Sequence, residues 1–581
     1  MANFFLDNRD IRFLFDHMDL AELARVQELD AENGDADYTP IDEADTVDNY
    51  RRVLEIVGQV AAEVIAPNAE QVDAEGNTLG DNGRVTYHPL VQANLDAMSR
   101  ADLMGFTLPR RYGGLNCPNL IYTMATEIVS RADASFMNMF GLQGIAETVN
   151  AFASEEIKVE VLPRFSTGEV TGAMVLTEPD AGSDLQAVRL RAEENGEGNW
   201  VLNGVKRFIT NGCGEILLTL ARSEPEISDG RGLSLFISER DETVRVRHLE
   251  TKLGIHGSPT CELVYDNTPA RLVGERQRGL ITYVLALMNG ARVGIAAQSI
   301  GIAEAAYRLA RVYAHTRQQF GVPIERMPAV AEMVTDMQVA IEAGRALLYA
   351  TSRVCDLENN NLRILEGGRR ELDAEEKKER KHASRGYKRL NSMLTPMSKY
   401  YCSEMCITVA NTAIQVLGGS GYIKDYASER YLRDSRITTI YEGTSQLQVV
   451  AAIRGVTSGT FEHYAAELET KNYSDPALAE LKQTLLDAKQ TILEAVQYIK
   501  QQSTAYLDLH ARRLVDSAIA VIIGHLLLDQ ATACDRKKVV ARRFITSQLH
   551  EIKKNCEVVR SGDAMPVEHY ETLAGPVPTI D

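Results

Sequence analysis

Apolar residues recur at helical spacing through most of this chain, and the interval that breaks the rhythm lies near its centre. In YRRVLEIVGQVAAEVIAPNAE, Val53, Ile56, Val57, Val60, Ala61 and Val64 fall at intervals near 3.6 residues. That spacing predicts a helix, ended by Pro67. IYTMATEIVSRA and IAETVNAFA carry the pattern on, so 46–169 reads as an N-terminal helical domain. From about 170 the period falls to two. AMVLTEP, VRLRAEE, WVLNGVKRFIT, EILLTLARS, GLSLFISE, VRVRHLE and CELVYD read as seven short strands, a middle β-domain over 170–276. Asn203-Gly204, flanked by WVL and VKRFI, predicts a two-residue hairpin.

Helical period returns near 277 and holds to 457, giving a C-terminal helical domain. ALMNGARVGIAAQSIGIAEAAYRLARVYAHT is rich in Ala and Gly, which predicts close helix–helix approach. The charged stretch 356–390 reads as an insertion or solvated extension between two long helices. VTSGT is a loop signal, and 458–581 reads as an extra helical domain. At the other end, FFLDNRDIRFLFDHM is amphipathic and precedes an acidic stretch with Gly34 and Pro40. Residues 1–45 therefore read as an arm with one short helix and a linker. The fold class is α+β multidomain.

Charge and cysteine use narrow the function classes. The chain has 81 acidic against 62 basic side chains, a net charge of −19. Such a surface disfavours nucleic acid, whose binding rests on Lys and Arg neutralising phosphates. The eight cysteines are scattered, and Cys402 and Cys406 lack partners at metal-ligand spacing. Free thiols and a reducing compartment follow, with no metal site. Charged residues interrupt the first 30 positions, and no apolar run reaches membrane-spanning length, so a cytoplasmic protein without a transmembrane segment is expected. The basic stretch around Arg536-Lys537-Lys538 and Arg542-Arg543 is expected to pack on the catalytic core or a dimer partner.

Five stretches carry candidate chemistry. In Ile440-Tyr441-Glu442-Gly443-Thr444-Ser445-Gln446, Glu442 is the only acid between Asp434 and Glu462. Its apolar neighbours should raise its pKa, which suits a general base; the local alternative is a helix-start carboxylate. In Val175-Leu176-Thr177-Glu178-Pro179-Asp180-Ala181-Gly182-Ser183-Asp184, Gly182 and Ser183 offer backbone N–H groups and a hydroxyl, although any strand-to-loop turn could look the same. In Arg207-Phe208-Ile209-Thr210, Phe208 and Thr210 share a strand face, suited to a planar heteroaromatic or to an ordinary core. Arg317-Gln318-Gln319-Phe320 closes a long helix, either as a pyrophosphate clamp or as a C-terminal Arg. Gln415-Val416-Leu417-Gly418-Gly419 lets a ligand approach the backbone. It is not a dinucleotide fingerprint of the GxGxxG kind.

Taken in order, VLTEPDAGSD, FITNG, KLGIHGSPTCEL, RQQFGVPI, QVLGGSGY and IYEGTSQLQ resemble the acyl-CoA dehydrogenase flavoprotein family over about residues 50–455. The arm, the charged stretch and the extra C-terminal segment resemble its longer branch, which includes methylmercaptopropionyl-CoA dehydrogenase-like and fatty acyl-CoA dehydrogenase members. The resemblance implies FAD between a helical domain, a β-domain and a four-helix domain. It implies that Glu442 removes an α-proton from an acyl-CoA thioester while a hydride leaves the β-carbon for flavin N5. The product is a trans-2-enoyl-CoA, and the electrons pass to an electron-transferring flavoprotein. The thioester oxygen would be polarised by the backbone N–H of the base and a flavin ribityl hydroxyl.

Residue by residue, the resemblance assigns Leu176, Thr177, Gly182, Ser183, Phe208 and Thr210 to the flavin ring. Arg317, Phe320, Gln415 and Gly419 go to FAD across the interface of a homodimer or dimer of dimers, and Thr444 and Gln446 to its adenosine side. Ser183, Asn289, Arg292 and Gly443 go to acyl-CoA. Some branches place the base just before the position of Arg292; Ala291 there cannot serve. Phe136 to Leu142 would line the acyl pocket, with Met139 and Leu142 apolar and Gly141 leaving room. Two alternatives share the fold. An acyl-CoA oxidase would release peroxide quickly in air, and a DNA-associated flavoprotein would bind DNA tightly and salt-sensitively, against the charge of −19.

Overall fold

The computed structural model describes residues 1–30, 39–196, 198–367 and 372–579. The acidic linker around Gly34 and part of the charged stretch lie outside the described residues. Helices α1 (Arg9–His17) and α2 (Leu20–Ala24) form the arm. The N-terminal domain follows with α3 (Glu43–Val60), α4 (Ala66–Glu75), strands β1 (Thr78–Leu79) and β2 (Val85–Thr86), α5 (Pro89–Arg100), α6 (Asn119–Ala132), α7 (Ala134–Gly141), α8 (Gln143–Phe152) and α9 (Glu155–Thr167). The arm is not a loose tether. Phe5, Ile11, Leu14, Phe15, Leu20 and Leu23 are buried in one core with α3, α6 and the long helices of the C-terminal domain. It also carries two helices and a π turn rather than one helix.

Pro67 does not end its helix. A π turn over Ala61–Ile65 precedes it, and Pro67 sits in the first turn of α4, which runs on to Glu75. The widened turn absorbs the ring and the missing N–H.

The middle domain supplies β3 (Gly172–Val175), β4 (Arg191–Glu194), β5 (Trp200–Thr210), β6 (Ile216–Arg222), β7 (Leu233–Glu239), β8 (Val244–Leu249) and β9 (Thr260–Val273). All seven predicted strands form one sheet, in the order β3-β6-β4-β5-β9-β7 with β8 on β9. Pairing of β6 with β7 as well as β4 closes it into a barrel. The hairpin expected at Asn203-Gly204 is absent. β5 runs straight through, with a register shift against β9 between Leu202 and Gly204. Gly204 adopts φ +145° and packs on Leu190, where a Cβ would lie 3.1 Å from its Cα. The glycine serves a bulge rather than a reversal.

The C-terminal domain comprises α10 (Leu285–Thr316), the hairpin β10 (Gln318–Gln319) and β11 (Val322–Pro323), α11 (Pro328–Gly367), α12 (Ala374–Leu417), α13 (Gly419–Tyr422), α14 (Ser428–Ile437) and α15 (Ser445–Thr457). The expected close approach is seen at Gly301, where a Cβ would lie 2.5 Å from the Glu127 carbonyl oxygen of α6. The charged stretch lengthens α11 and α12, but its start is buried rather than solvated: Asp356, Leu357, Asn360 and Ile364 are interior, and Gln27 of the arm accepts a hydrogen bond from Asn360 at 2.8 Å. The α+β architecture expected from the sequence is thus present.

The extra segment holds α16 (Thr460–Leu468), α17 (Pro476–Ile499), α18 (Thr504–Ala531) and α19 (Asp535–Arg560). Its core is continuous with α12 and α15, uniting Leu485, Ile492, Leu514 and Ile522 with Met393, Met397, Val449 and Ile453. Basic residues of α19 pair with α11: Arg536 with Glu342 at 2.6 Å and Arg543 with Asp336 at 2.8 Å. Deletion of 458–581 is therefore expected to abolish soluble, thermally cooperative protein; a truncated chain with unchanged melting behaviour and activity would contradict this packing. Two helices, Gly279–Thr316 and Thr504–Ala531, are long and apolar enough by length and composition to cross a membrane. Here α18 is largely buried, and α10 packs on α6, α11 and α12.

Candidate active site

Glu442 lies in the turn between α14 and α15, and local sequence accounts for its backbone. Thr444 is the N-cap of α15; its hydroxyl accepts the Leu447 N–H at 3.4 Å. Gly443 adopts φ +90°, and Glu442 itself φ +54°. A side chain at positive φ is strained, so its surroundings must hold it there. Lys399 Nζ donates to the Gly443 carbonyl at 2.8 Å. Gln448 Nε2 donates to the carbonyls of Glu442 and Gly443 at 3.2 and 3.0 Å. The Ser445 N–H donates to Thr439 at 3.0 Å, and the Tyr441 hydroxyl bonds Gln298.

Burial pushes the Glu442 carboxyl up to about 6, while Arg292 and Lys399 pull against it. Lys399 is fully buried; desolvation brings it down to about 8, opposed by Glu442. Desolvation likewise lowers Arg292, which donates to Asn289 Oδ1 at 3.0 Å. The carboxyl is therefore ionised at neutral pH yet more basic than a solvated glutamate, the state a general base needs. Lys399 escaped the sequence reading because it stands 44 residues before the carbonyl it holds. One signal was available: it is the only charged residue between Arg389 and Glu404 on an otherwise apolar, small-residue stretch.

A cavity opens in front of Glu442, walled by α6, α7, α8, the start of α10 and the rim of the β-barrel. Leu176, Thr177, Gly182, Phe208 and Thr210 line it together with Tyr441, Glu442 and Gly443. The rim is built on Lys206, fully buried behind the strand. Its ammonium donates to the Leu176 carbonyl at 2.7 Å and pairs with Glu178 at 3.0 Å, and Glu178 accepts the N–H groups of Arg189 and Leu190 at 2.8 and 2.9 Å. Strict alternation at Phe208 and Thr210 is broken: Phe208 has φ +60° at a register shift between Lys206 and Ile209, and its ring is 53% exposed. Ser183 is exposed beside Gly182. Of the expected acyl-pocket residues Phe136 to Leu142, Met137, Asn138, Gly141 and Leu142 line the cavity. Met139 is instead buried in the helical core.

The remaining expected cofactor residues lie elsewhere. Arg317 caps α10, Phe320 stands 94% exposed at φ +51° on the β10–β11 hairpin, and Gln415, Gly419 and Gln446 are exposed. Tyr313, one turn before Arg317, donates to Ser420 at 3.3 Å, so the hairpin base and the glycine turn share one surface. The rim fits a flavin: a Cβ on Gly182 would meet nothing within 4 Å, and the Phe208 ring faces the same opening. Such a fold and cavity match the arrangement expected of a three-domain flavin-dependent dehydrogenase.

Family models agree along nearly the whole chain. Residues 48–169 match the acyl-CoA dehydrogenase N-terminal domain, 173–268 its middle domain, and 278–367 with 373–456 its C-terminal domain. Residues 457–564 match the model described as acyl-CoA dehydrogenase C terminal. The chain belongs to the acyl-CoA dehydrogenase family, whose cofactor is FAD. It is 33% identical to 3-methylmercaptopropionyl-CoA dehydrogenase of Ruegeria pomeroyi over 467 residues, 76% of this chain and 74% of that one. A chain solved with the electron transferring flavoprotein of Acidaminococcus fermentans as its subject is 29% identical, with a TM-score of 0.60 over 70% of this chain and 97% of that one. The acyl-CoA dehydrogenase complexed with FAD from Bacillus anthracis shares the fold over 92% of both chains, with a TM-score of 0.74 at 23% identity.

Proposed function

We propose that Glu442 is the general base that removes the α-proton of an acyl-CoA thioester, yielding a trans-2-enoyl-CoA. The observation that carries this reading is a carboxyl at about 6, flanked by two desolvated cations and facing the flavin-side cavity. Bound FAD would take the hydride from the β-carbon at N5. The protein's part is to place the base, polarise the thioester and exclude water. Among the described residues, the Glu442 N–H has no backbone acceptor, which leaves it free to donate to the thioester oxygen. Leu176, Thr177, Gly182, Ser183, Phe208 and Thr210 would hold the flavin ring. Arg292, Asn289, Ser183 and Gly443 would face the CoA thioester.

Arg317, Phe320, Gln415, Gly419, Thr444 and Gln446 lie outside the cavity of a single chain, which favours cofactor binding completed by a second copy. Phe320, Val322, Tyr422 and Ile423 expose apolar side chains on and around the hairpin and glycine turn, an unusual concentration for a free surface. An electron-transferring flavoprotein is the acceptor this reading names. Slow reoxidation of the reduced enzyme in air supports it, and rapid peroxide release would favour an oxidase.

The pH dependence tests the base directly. The rate of anaerobic flavin reduction at low substrate is expected to rise with pH through about 6 and then level off, because protonated Glu442 cannot accept the α-proton. Lys399→Met removes a cation that lowers this pKa, so the rising limb should move to higher pH. The plateau rate should also fall about tenfold or more as the Gly443 carbonyl loses its charged donor and keeps only Gln448. An unchanged limb and plateau in that variant would show that Lys399 has no influence on the base.

A further inference from the structure

The N-terminal part of α12 carries a surface feature that the chemistry above leaves unused. Residues 374–390 hold seven Lys and Arg against three Glu, in a chain whose net charge is −19. Lys377, Lys378, Lys381, Arg385, Lys388 and Arg389 are all exposed. At 3.6 residues per turn they fall within an arc of about 120° and run about 18 Å along the helix. Glu375, Glu376 and Glu379 lie outside that arc. The other face anchors the helix: Ser384 is buried, Tyr387 and Leu390 pack against the core, and Arg380 donates to Asn361 at 3.2 Å.

Among the described residues, none of the six cations stands in an ion pair. Arginines on other surfaces show the contrast. Arg164 binds Glu239, Arg271 binds Glu160 and Arg543 binds Asp336, each at 2.8 Å. The stripe is thus a line of unneutralised positive charge on an acidic molecule, held straight by a helix whose inner face is fixed.

Its composition says what it fits. Protein interfaces form round a desolvated aromatic or aliphatic anchor and are depleted in Lys. Four of the six cations are Lys, and no large apolar side chain is exposed between 374 and 390. Nor are there exposed aromatic platforms of the kind on which single-stranded nucleic acid stacks. Anionic lipid headgroups need neither device: a fluid plane of phosphates adapts to a row of point charges, and clusters of about four to eight Lys and Arg on an amphipathic helix serve that purpose.

We infer that this stripe of α12 docks the protein peripherally on a membrane surface rich in anionic phospholipid. With no apolar side chain to insert, the attachment is electrostatic and reversible, and it weakens as salt shortens the reach of the charges to about 10 Å at 0.1 M. The inference stands apart from the acyl-CoA reading, because none of the six residues lines the cavity.

The test is flotation of the FAD-loaded full-length protein with vesicles of phosphatidylcholine alone or mixed with phosphatidylglycerol, at low and high salt. Binding should require phosphatidylglycerol and be lost at high salt. Each basic side chain near such a surface strengthens binding about fivefold, so Lys377→Gln with Lys381→Gln and Arg385→Gln should weaken it about 100-fold. Arg542→Gln with Lys553→Gln and Lys554→Gln removes the same charge from exposed positions of α19 and should leave binding nearly unchanged. Both triple variants should keep the wild-type melting temperature and rate of anaerobic flavin reduction. Absence of binding to the anionic vesicles, equal binding to phosphatidylcholine alone, or equal losses in the two variants would each overturn the inference. So would tighter binding, measured by fluorescence anisotropy, to duplex DNA or polyglutamate, which would assign the stripe to a nucleic acid or an acidic protein. Loss of flavin reduction in the α12 variant would make the stripe part of the substrate site and overturn it too. Should no thioester reduce the flavin in any form of the protein, the dehydrogenase reading fails while the vesicle result still decides the role of the stripe.

Discussion

Glu442→Gln is expected to bind FAD and acyl-CoA normally and to lose about 10²- to 10⁴-fold in the rate of anaerobic flavin reduction. The substitution is nearly isosteric. Lys399 and Gln448 bind backbone carbonyls of the turn rather than the carboxyl, so the strained conformation at φ +54° should survive. What disappears is the carboxylate of this turn that faces the cavity, together with the charge that offsets Arg292 and Lys399. Loss of affinity with an unchanged reduction rate would mean that Glu442 binds substrate and another group acts as the base. The neighbouring Ala291 cannot fill that place.

Arg345→Met is expected to cost about 3–5 kcal/mol of stability, the range for breaking a buried ion pair from one side. Arg345 is fully buried and pairs with Asp10 of the arm at 2.6 Å, Glu127 of α6 at 2.6 Å and Glu304 of α10 at 2.9 Å. Lys537 of α19 joins the cluster through Asp10 at 2.5 Å and Glu342 at 2.8 Å. Arm, catalytic domains and C-terminal segment thus meet at one charge network. Removing its central cation leaves Glu127 without an ion-pair partner among the described residues, while Asp10 keeps Lys537 and Glu304 keeps Arg308 at 2.7 Å. The urea midpoint should fall, and hydrogen exchange in Arg9–His17 should rise.

The pH dependence of that network has a definite sign. Burial would raise Asp10, but Lys537 and Arg345 outweigh it and hold the carboxyl at about 2. A depressed carboxylate pKa adds stability above the unfolded value of 3.8, and that stability is lost as pH falls from there towards 2. Arg345→Met should therefore make acid unfolding begin at higher pH. A variant with wild-type urea and acid midpoints would show that the other cations carry the cluster.

Periodicity made the domains legible, because the helices and strands bury one face and their apolar spacing records it. Local turn chemistry was less legible. Asn203-Gly204 has the residues of a hairpin, but the contact that decides its role is with Leu190, outside the turn. Pro67 has the residue of a helix stop, and the π turn before it is not written in propensities. Within the site, Glu442 stood out as an isolated acid in apolar company. Lys399 and Lys206 did not, because each acquires its meaning from groups distant in sequence. The Arg345 cluster is the extreme case, with Asp10 lying 335 residues away. Such pairings are fixed by tertiary packing, and only the elements that bring them together leave a sequence pattern.

The most direct measurement is anaerobic titration of the FAD-loaded enzyme with a panel of acyl-CoA thioesters, following flavin absorbance and product. Stoichiometric bleaching with formation of the trans-2-enoyl-CoA, abolished in Glu442→Gln, is the predicted result. Flavin that stays oxidised with every bound thioester, or bleaching at the wild-type rate in the variant, would contradict the account.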